Sequence, residues 1–276
     1  MKRLNVLVNG LPGNMAQIVA GHILADDRFE LMPFSLTGPD IQDRELTVQN
    51  STVKLVQPDQ KEQAVIEIKK SGENVLSVDF THPSAVNANA AFYCKFNLPF
   101  VMGTTGGDRR QLEESVVSSS IAAVIAPNMA KQIVGFQAMM DFAASTFPDL
   151  FNGYSLEIEE SHQKGKADTS GTAKAMVGYF NKLGTPFSEK DIVKERDPSI
   201  QASQWGIPEA YLKGHGWHTY SLLSEDKTVR FTFSHNVNGR DVYAKGTLDA
   251  LLYLSKKLEE GATGKMYTMI DVLKGT

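Results

Sequence analysis

The sequence predicts an α/β protein in which an N-terminal, Rossmann-like, doubly wound parallel sheet precedes a second α+β domain with an open mixed sheet. Two observations predict the first domain. Apolar, β-rich runs alternate with helical patterns as far as Asn128, and polar or Gly-rich loops follow successive strands. A third observation predicts the second domain, because a longer helix and two alternating strands replace this βα repeat after Asn128.

The βα repeat begins close to the N-terminus. The apolar runs predict strands over residues 4–8, 29–36, 75–80, 100–104 and 121–126. The helical patterns between them lie over residues 15–23, 61–70, 83–96 and 108–118. Pro83 suits the first turn of its helix, where a missing N–H costs nothing. Regular alternation of this kind is typical of a parallel sheet.

The second half contains fewer and longer elements. We expect helices over residues 130–147, 170–183 and 241–259, a strand over 154–160, and a hairpin of strands 217–223 and 228–237. The last helix is amphipathic, and we expect it to return to the first domain. The predicted domains are therefore 1–128 with 241–276 for the dinucleotide, and 129–240 for substrate binding and oligomerisation.

Composition places the chain among ordinary globular proteins. Its 276 residues are 42% apolar and 22% charged, with a net charge of −4, which gives no reason to expect nucleic acid. No apolar run approaches the ~20 residues of a membrane span. Cys94 is the only cysteine, so no internal disulfide can form. Since a strand begins within a few residues, we expect no signal peptide and a cytoplasmic protein.

The segment from Glu160 to Ala173 carries the strongest chemical signal. His162 can deliver a proton near neutral pH, and Lys166 can hold a carboxylate. Ser170-Gly171-Thr172 opens a predicted helix, where hydroxyls and free N–H groups can bind an anion. Each piece alone is also typical of a helix cap or a solvated loop. Together they predict a site for a small acidic substrate.

The same segment, Glu160-Ser-His-Gln-Lys-Gly-Lys-Ala-Asp-Thr-Ser-Gly-Thr-Ala173, resembles the signature loop of the 4-hydroxy-tetrahydrodipicolinate reductases. That loop usually reads E-A/S-H-H-x-x-K-x-D-A/S-P-S-G-T-A. Here Gln163 replaces the second histidine, and one residue around Thr169 is missing. Both departures resemble the plant-type branch, as do the Gly-Thr-Thr-Gly-Gly run ending at Gly107 and the Met-Ile-Asp-Val-Leu tail ending at Leu273.

The resemblance implies NAD(P)H-dependent reduction of a small cyclic dicarboxylate, with loss of water, in the diaminopimelate route to lysine. It implies that His162 supplies a proton and that Lys166 stabilises developing charge and one carboxylate. The residues that it assigns to substrate binding are Gln163, Ser170, Gly171 and Thr172. A homo-oligomer, dimer or tetramer, is expected.

A candidate phosphate-binding turn lies between the first strand and the first helix. It reads Asn9-Gly10-Leu-Pro-Gly13-Asn14-Met15-Ala16, and its glycines allow close approach of a pyrophosphate to the backbone. On spacing alone, a plain tight turn is nearly as good an interpretation. The turn also resembles the family's G-x-x-G-x-M-G motif, which favours cofactor binding.

Three later loops follow successive predicted strands. Ligands of open α/β sheets bind beyond the carboxyl ends of the strands, so these loops would line one crevice. In order and spacing they match the family's nicotinamide and ribose contacts. The residues concerned are Phe80, Thr81, Gly103, Thr104, Thr105, Ala126, Pro127, Asn128 and Met129.

The choice of cofactor depends on the end of the second predicted strand. An acid there would favour NAD, but the chain has none, and Ser35 and Thr37 could bind a 2′-phosphate. Asn14 stands where the family often has Arg or Lys, which argues the other way. The sequence favours NADPH, with NADH also accepted.

Three histidines lie in the predicted hairpin region. His215 and His218 lack a nearby carboxylate or thiol, so we expect packing or capping and no metal site. For His235, a structural turn and a place at the substrate mouth are equally good interpretations. Asp168 is expected to pair with Lys166 or to cap the following helix.

Two other functions stay open at this point. One is another two-domain NAD(P)-dependent dehydrogenase of a small carboxylate, and the other is a nucleotide-sensing regulator without turnover. The pair of His162 and Lys166 argues against the regulator, because a sensor needs no proton donor.

Overall fold

A computed structural model describes residues 3–70 and 74–275. Two compact units are present. The first comprises the described residues up to Lys131 together with those from Asp241 onwards, and the second comprises Gln132–Arg240. No helix in the described ranges is long and apolar enough to cross a membrane.

The first unit begins with alternating strands and helices. Its strands up to Lys131 are β1 (Leu4–Asn9), β2 (Phe29–Leu31), β3 (Phe34–Leu36), β4 (Glu45–Val48), β5 (Ser51–Val56), β6 (Val75–Asp79), β7 (Phe100–Met102) and β8 (Ala122–Ile125). Its helices are α1 (Asn14–Leu24), α2 (Lys61–Lys70), α3 (Val86–Lys95) and α4 (Arg109–Val117).

The second unit and the returning segment follow. The second unit holds α5 (Lys131–Thr146), β9 (Tyr154–His162), α6 (Gly171–Lys182), β10 (Val193–Glu195), α7 (Pro198–Ser203), β11 (His215–Ser224) and β12 (Arg230–Asn238). The returning segment adds α8 (Asp241–Glu259), β13 (Lys265–Tyr267) and α9 (Met269–Lys274) to the first unit.

The main sheet of the first unit is parallel, as predicted. Its strand order is β13-β8-β7-β6-β1-β2, and every neighbouring pair is parallel. Val8, Val78, Val101 and Val124 align across four strands and are fully buried. Helices cover such a sheet, so its strands are largely apolar. The Rossmann-like α/β prediction is confirmed.

The second unit carries a four-stranded mixed sheet in the order β10-β9-β11-β12. β10 runs parallel to β9, while β11 is antiparallel to both β9 and β12. Ile158, Tyr220 and Leu222 lie on its inner face and pack with Met176 and Phe180 of α6. Because side chains alternate along a strand, Glu160 and His218 share that face at its polar end.

The predicted strand over 29–36 is wrong as a single element. Phe29–Leu31 pairs with β1, whereas Phe34–Leu36 pairs with β5 in a separate three-stranded sheet. Pro33 lies between them and has no N–H to donate to a ladder, which ends the first strand. The antiparallel β4–β5 hairpin, with Gln49 at a φ of 53° in its turn, was not predicted.

Candidate active site

The predicted cofactor loops meet at one edge of the parallel sheet. They follow β1, β6, β7 and β8, which are neighbours in that sheet. Backbone hydrogen bonds join the loops in turn: Phe80 N to Asn9 O over 3.2 Å, Gly103 N to Asp79 O over 3.0 Å, and Ala126 N to Met102 O over 3.0 Å. The structure therefore brings these loops into one row at the carboxyl ends of the strands, where open α/β sheets bind ligands.

The turn after β1 is built around two glycines. Gly10 has a φ of 100°, and a Cβ placed on it would lie 2.2 Å from Phe80 O, so no other residue fits without moving the backbone. Gly13 is the N-cap of α1 and provides no side-chain cap. The first N–H groups of α1 have no intrahelical partners, so this turn fits a pyrophosphate.

Phe80 and Gly103, both predicted cofactor residues, are in contact. A Cβ on Gly103 would lie 2.3 Å from Phe80 Cε1. The ring of Phe80 can therefore occupy this position only because Gly103 has no side chain. This close packing holds the loops after β6 and β7 together.

Asp79, the last residue of β6, joins the loops after β6 and β7 through hydrogen bonds. It is fully buried and accepts hydrogen bonds from Thr104 Oγ1 (2.5 Å), Thr81 Oγ1 (2.9 Å), Tyr93 Oη (2.7 Å) and Asn89 Nδ2 (3.0 Å). All four donors are neutral groups. Asp79 thereby fixes Thr81 and Thr104, two of the predicted cofactor residues.

The remaining predicted cofactor residues line the loop surface to different degrees. Gly13, Asn14, Thr105 and Pro127 are exposed, Met15 and Asn128 are half-buried, and Ala126 and Met129 are buried. Asn128 Oδ1 accepts a hydrogen bond from Ala130 N over 2.9 Å. The exposed members are the ones a ligand at this edge can touch directly.

In the second unit, β9 and β11 place three polar side chains together. Glu160 and His162 lie two residues apart on β9 and so share a face, and His218 of β11 pairs in register with Glu160. The rings of His162 and His218 are 5.1 Å apart, and the ring of His235 on β12 lies 4.6 Å from that of His218. This row forms the polar end of an otherwise apolar face.

Glu160 is fully buried and is held by polar partners. Arg196 Nη2 donates to Oε1, and Ser170 N donates to Oε2 over 3.1 Å. His218 Nε2 lies 3.6 Å from Oε2. Burial alone would raise the pKa of Glu160, but His218, Arg196 and Ser170 outweigh burial and hold the pKa well below its usual range. The carboxylate is therefore charged at neutral pH.

Arg196 also fixes the backbone of the signature loop. Its Nε donates to Lys166 O over 2.9 Å, and its Nη1 donates to Glu195 O over 2.9 Å. One planar guanidinium thus joins the loop, β10 and the buried carboxylate of Glu160. The loop is held in place before any ligand binds.

His162 has one ring nitrogen bonded and the other bare. Nδ1 lies 3.1 Å from His215 O; since a carbonyl only accepts, Nδ1 carries the hydrogen. Nε2 is buried, and it has no hydrogen-bond partner among the residues that the structure describes. The pKa of His162 is lowered to about 4, first by burial and then by His218, with Glu160 acting in the opposite direction.

Lys166 and Asp168 form the expected pair. Lys166 Nζ lies 2.8 Å from Asp168 Oδ1. Lys166 N donates a hydrogen bond to Gln163 O, which closes the turn that follows His162. Asp168 is exposed, and such surface pairs contribute little stability. The ammonium group can therefore move to a bound carboxylate at small cost.

Ser170, Gly171 and Thr172 open α6, as predicted. Ser170 is the N-cap: its Oγ accepts from Ala173 N over 3.0 Å and lies 2.8 Å from His218 Nε2. Ser170 is buried, Thr172 is half-buried and Gly171 is exposed. The Ser170 hydroxyl is thus used within the protein, while the backbone N–H groups of Gly171 and Thr172 begin the helix without intrahelical partners.

The sequence matches two family profiles that together cover both units. The one described as "Dihydrodipicolinate reductase, N-terminus" matches residues 4–129, and the one described as "Dihydrodipicolinate reductase, C-terminus" matches residues 133–273. The chain belongs to the dihydrodipicolinate reductase family. The signature loop, from Glu160 to Ala173, lies within the C-terminal match.

Within this family, plant members are notably similar to the chain. The probable 4-hydroxy-tetrahydrodipicolinate reductase 1, chloroplastic, of Oryza sativa subsp. japonica is 45% identical, over 98% of this chain and 78% of its own length. The Arabidopsis thaliana reductase 1, chloroplastic, is 42% identical over the same shares. The reductase of Prochlorococcus marinus is 30% identical over 67% of each. The plant-type resemblance is confirmed.

A solved member of the family has the same fold. The dipicolinate-bound dihydrodipicolinate reductase from Paenisporosarcina sp. TG-14 superposes with a TM-score of 0.65 at 19% identity, over 97% of this chain and 98% of that one. At this level of identity the comparison supports the fold alone.

Asn9, Ser35 and Thr37 were predicted to bind the cofactor, but in the structure their side chains bond to other parts of the protein. Ser35 is fully buried and accepts from Leu11 N over 3.3 Å, and Thr37 Oγ1 donates to Leu11 O over 2.7 Å. Asn9 is buried and bonds Leu36 N and Tyr93 Oη. These three side chains hold the glycine turn, so a buried hydroxyl such as that of Ser35 is not free for a 2′-phosphate.

The histidines of β11 and two further polar residues, Arg196 and Asp79, complete the two candidate binding regions. His215 and His218 lie three residues apart on β11 and so face opposite sides of the sheet; His215 packs with Ser161 and Tyr211. Arg196 and Asp79 were not predicted as site residues. Asp79 had a local signal, a lone acid ending a buried apolar strand, whereas Arg196 had none because its partner Glu160 is remote in sequence.

Proposed function

We propose that the chain catalyses NAD(P)H-dependent reduction of 4-hydroxy-tetrahydrodipicolinate to tetrahydrodipicolinate, in the diaminopimelate route to lysine. The reaction adds one hydride and one proton and releases one water. Membership of the reductase family supports the reaction. The observation that carries the site assignment is the bare, buried Nε2 of His162, on the segment that also contains Lys166 and the start of α6.

His162 is proposed as the proton donor. In the free protein its low pKa keeps the ring neutral at pH 7. A doubly negative substrate placed beside the ring would favour the imidazolium and raise that pKa. The ring would then carry a proton on Nε2 only when the substrate is present, while its bond to His215 O keeps the ring oriented.

Lys166, Gln163 and the start of α6 are proposed to bind the substrate. Lys166 would leave Asp168 for one carboxylate, and the N–H groups of Gly171 and Thr172, with the Thr172 hydroxyl, would bind the other. Ser170 would act through the cap that fixes this helix end. Gln163 can offer a hydrogen bond but no charge. Arg196 would act as a positioning residue by holding the loop.

The edge of the parallel sheet is proposed to bind the dinucleotide, which supplies the hydride when bound. The glycine turn and the uncapped start of α1 fit a diphosphate. Asp79 would keep Thr81 and Thr104 in place beside it. NADPH is the proposed cofactor, with NADH also accepted, because β3 ends at Leu36 and Thr37-Gly38 follow, without an acid at the strand end to repel a 2′-phosphate.

A homo-oligomer, dimer or tetramer, is part of the proposal. Large apolar side chains stand exposed near α5, notably Met139, Phe142 and Leu150, and exposed apolar patches mark interaction surfaces. Light scattering would give the mass in solution.

A cytoplasmic location is also proposed, supported by the single free Cys94. Plant relatives are named chloroplastic, so the location has to be tested directly. Imaging of a tagged chain in its own cells would do so.

The test of the function is an NADPH oxidation assay with substrate generated by the aldolase that precedes the reductase. Turnover with this substrate, inhibited by pyridine-2,6-dicarboxylate, is expected. Absence of turnover with both NADPH and NADH, in a folded protein that binds the cofactor, would refute the proposed activity.

A further inference from the structure

Three potential metal ligands converge on the inner face of the second unit's sheet. Glu160, His162 and His218 each offer one atom, and these atoms all lie within 4.8 Å of one another. Glu160 Oε2 is 3.8 Å from His162 Nε2 and 3.6 Å from His218 Nε2. The two strands impose this convergence, since Glu160 and His162 share a face of β9 and His218 is the cross-strand partner of Glu160.

The arrangement leaves two hydrogen-bond acceptors facing each other. Because His162 Nδ1 carries the hydrogen donated to His215 O, Nε2 presents a lone pair. Its polar neighbour at 3.8 Å is a carboxylate oxygen, also an acceptor. Within the described parts of the chain, no donor reaches Nε2. A buried lone pair without a donor is costly, and a cation between the two acceptors would remove that cost.

The donor set selects the class of cation. Two imidazole nitrogens and one carboxylate oxygen suit Zn²⁺, Co²⁺ or Ni²⁺, whereas Mg²⁺ and Ca²⁺ prefer oxygen alone. Tetrahedral Zn²⁺ with bonds of about 2.0–2.1 Å places its ligand atoms about 3.3 Å apart. The separations from Glu160 Oε2, 3.6 and 3.8 Å, need only a small adjustment, and the two imidazole nitrogens lie within 4.8 Å of each other and must also approach. Three protein ligands leave a fourth position open.

The surrounding contacts already orient two of the ligands. His215 O fixes the tautomer and the ring of His162. Arg196 binds Oε1 of Glu160, and Oε2 accepts one hydrogen bond, from Ser170 N, which leaves a second lone pair of Oε2 for an ion. Such outer partners are a regular feature of protein metal sites. His218 must exchange its contact with Ser170 Oγ, 2.8 Å away, for the ion.

We propose that Glu160, His162 and His218 form a binding site for a divalent transition-metal ion, Zn²⁺ foremost, and that the ion competes with the catalytic proton for His162 Nε2. Local sequence does not predict this metal site, because no carboxylate lies close to His218 along the chain; the fold brings Glu160 beside it. Metal binding stands on the geometry alone. Competition with the proton, and hence inhibition, rests on the proposed function.

Direct titration tests the binding. Co²⁺ is added to the purified full chain while its visible ligand-field absorption is followed, and Zn²⁺ then displaces it. One equivalent per chain is expected. His218→Gln should weaken binding at least about tenfold through loss of a ligand. His235→Gln is the matched control: its ring stacks on His218 but supplies none of the three atoms, so its affinity should stay within about threefold of wild type.

A measurement on the unaltered protein guards against misfolded variants. The chain has six histidines, few enough to resolve their imidazole signals by NMR. Zn²⁺ should shift the signals of His162 and His218 and leave those of His22 and His82 unchanged. Shifts confined to His22 or His82, or binding that His218→Gln leaves unaltered, would overturn the site.

The activity arm separates the two proposals. Zn²⁺ should inhibit turnover, EDTA should reverse the inhibition, and raising the substrate concentration should relieve it. Binding at His162 and His218 without inhibition would overturn the competition while leaving the site intact. If Zn²⁺ fails to bind yet His162→Ala abolishes turnover, the metal proposal is wrong and the proposed function stands.

Discussion

The two regions predicted to bind ligands differ in how the start of the helix is capped and in the charges around it. At the edge of the parallel sheet, the glycine turn leaves the start of α1 without a side-chain cap, and the buried Asp79 is surrounded by neutral donors. At the start of α6, Ser170 caps the helix, and the neighbourhood contains Glu160, Arg196, Lys166 and histidines.

The difference follows from what each region must do. Backbone N–H groups do not change charge between pH 5 and 8. We therefore expect the affinity of the glycine turn for a diphosphate to vary little with pH in this range. A proton donor must change its charge during the reaction, so His162 needs surroundings that set its pKa. We therefore expect substitutions in the second unit to alter chemistry and those in the first to alter cofactor binding.

The largest effect is expected from the proposed proton donor. His162→Ala should lower kcat by roughly 10²–10⁴, the range for loss of a general acid. The Kd for NADPH should hardly change, because the glycine turn and its neighbours are untouched. Steady-state kinetics and fluorescence titration of the cofactor measure the two quantities. A variant that keeps more than about a third of wild-type kcat would contradict the assignment.

The next effect tests the cofactor side. Gly10→Ala forces a positive φ on a residue with a Cβ, which costs roughly 1–2 kcal/mol, and adds a clash with Phe80 O. The Kd for NADPH should rise at least about tenfold, and Tm should fall. Gly171→Ala is the matched control, since a Cβ there meets nothing within 4 Å. Equal cofactor affinity in both variants would show that the turn does not bind NADPH.

A third comparison separates a helix cap from an anion site within α6. Ser170→Ala should lower the free energy of unfolding by about 1 kcal/mol, since Ser170 is the cap. Thr172→Val should instead raise KM for the substrate, and Ki for pyridine-2,6-dicarboxylate, at least roughly tenfold, with only a slight fall in Tm. Lys166→Ala should weaken the same dicarboxylate. Unchanged dicarboxylate affinity in Thr172→Val would place the second carboxylate elsewhere.

The smallest effect concerns protons. His162 has an ordinary pKa of 6.5 when unfolded and about 4 when folded, so its contribution to stability is complete above pH 6.5 and is lost as the pH falls from 6.5 to 4. A bound dianion should reverse this shift. Calorimetry at pH 7 in buffers of different ionisation enthalpy should show uptake of up to about one proton per chain with pyridine-2,6-dicarboxylate. NADPH alone, or dicarboxylate with His162→Ala, should show none.

Local patterns predicted much of this molecule. Periodicity was enough for the parallel strands, since a buried strand is apolar along its length, and Ser170-Gly171-Thr172 was enough for the start of α6. The prediction of a single strand over 29–36 was wrong because Pro33 interrupts it, although the residues on both sides of Pro33 are largely apolar. The β4–β5 hairpin was missed although Leu46, Val48, Val53 and Leu55 alternate with polar residues.

Features that depend on remote partners could not be predicted. Arg196 binds Glu160 across 36 residues of sequence, and no local pattern marks such a pair. Ser35 looked available because it follows an apolar run, yet its hydroxyl is buried on Leu11 N. Whether a polar side chain faces a ligand or a backbone group depends on the tertiary packing around it, which the local sequence does not show.

The contact between Arg196 and Glu160 also constrains how this loop can evolve. Substitution of Arg196 removes the cation paired with the fully buried carboxylate of Glu160, a loss of up to about 3–5 kcal/mol. Substitution of Glu160 leaves the half-buried Arg196 without its anion. Replacing both with a matched apolar pair can be far milder, because no charge is stranded. Single-step mutation is therefore a poor route between the two solutions. Lineages that carry this pair should retain it over long periods, even where the surrounding loop residues drift.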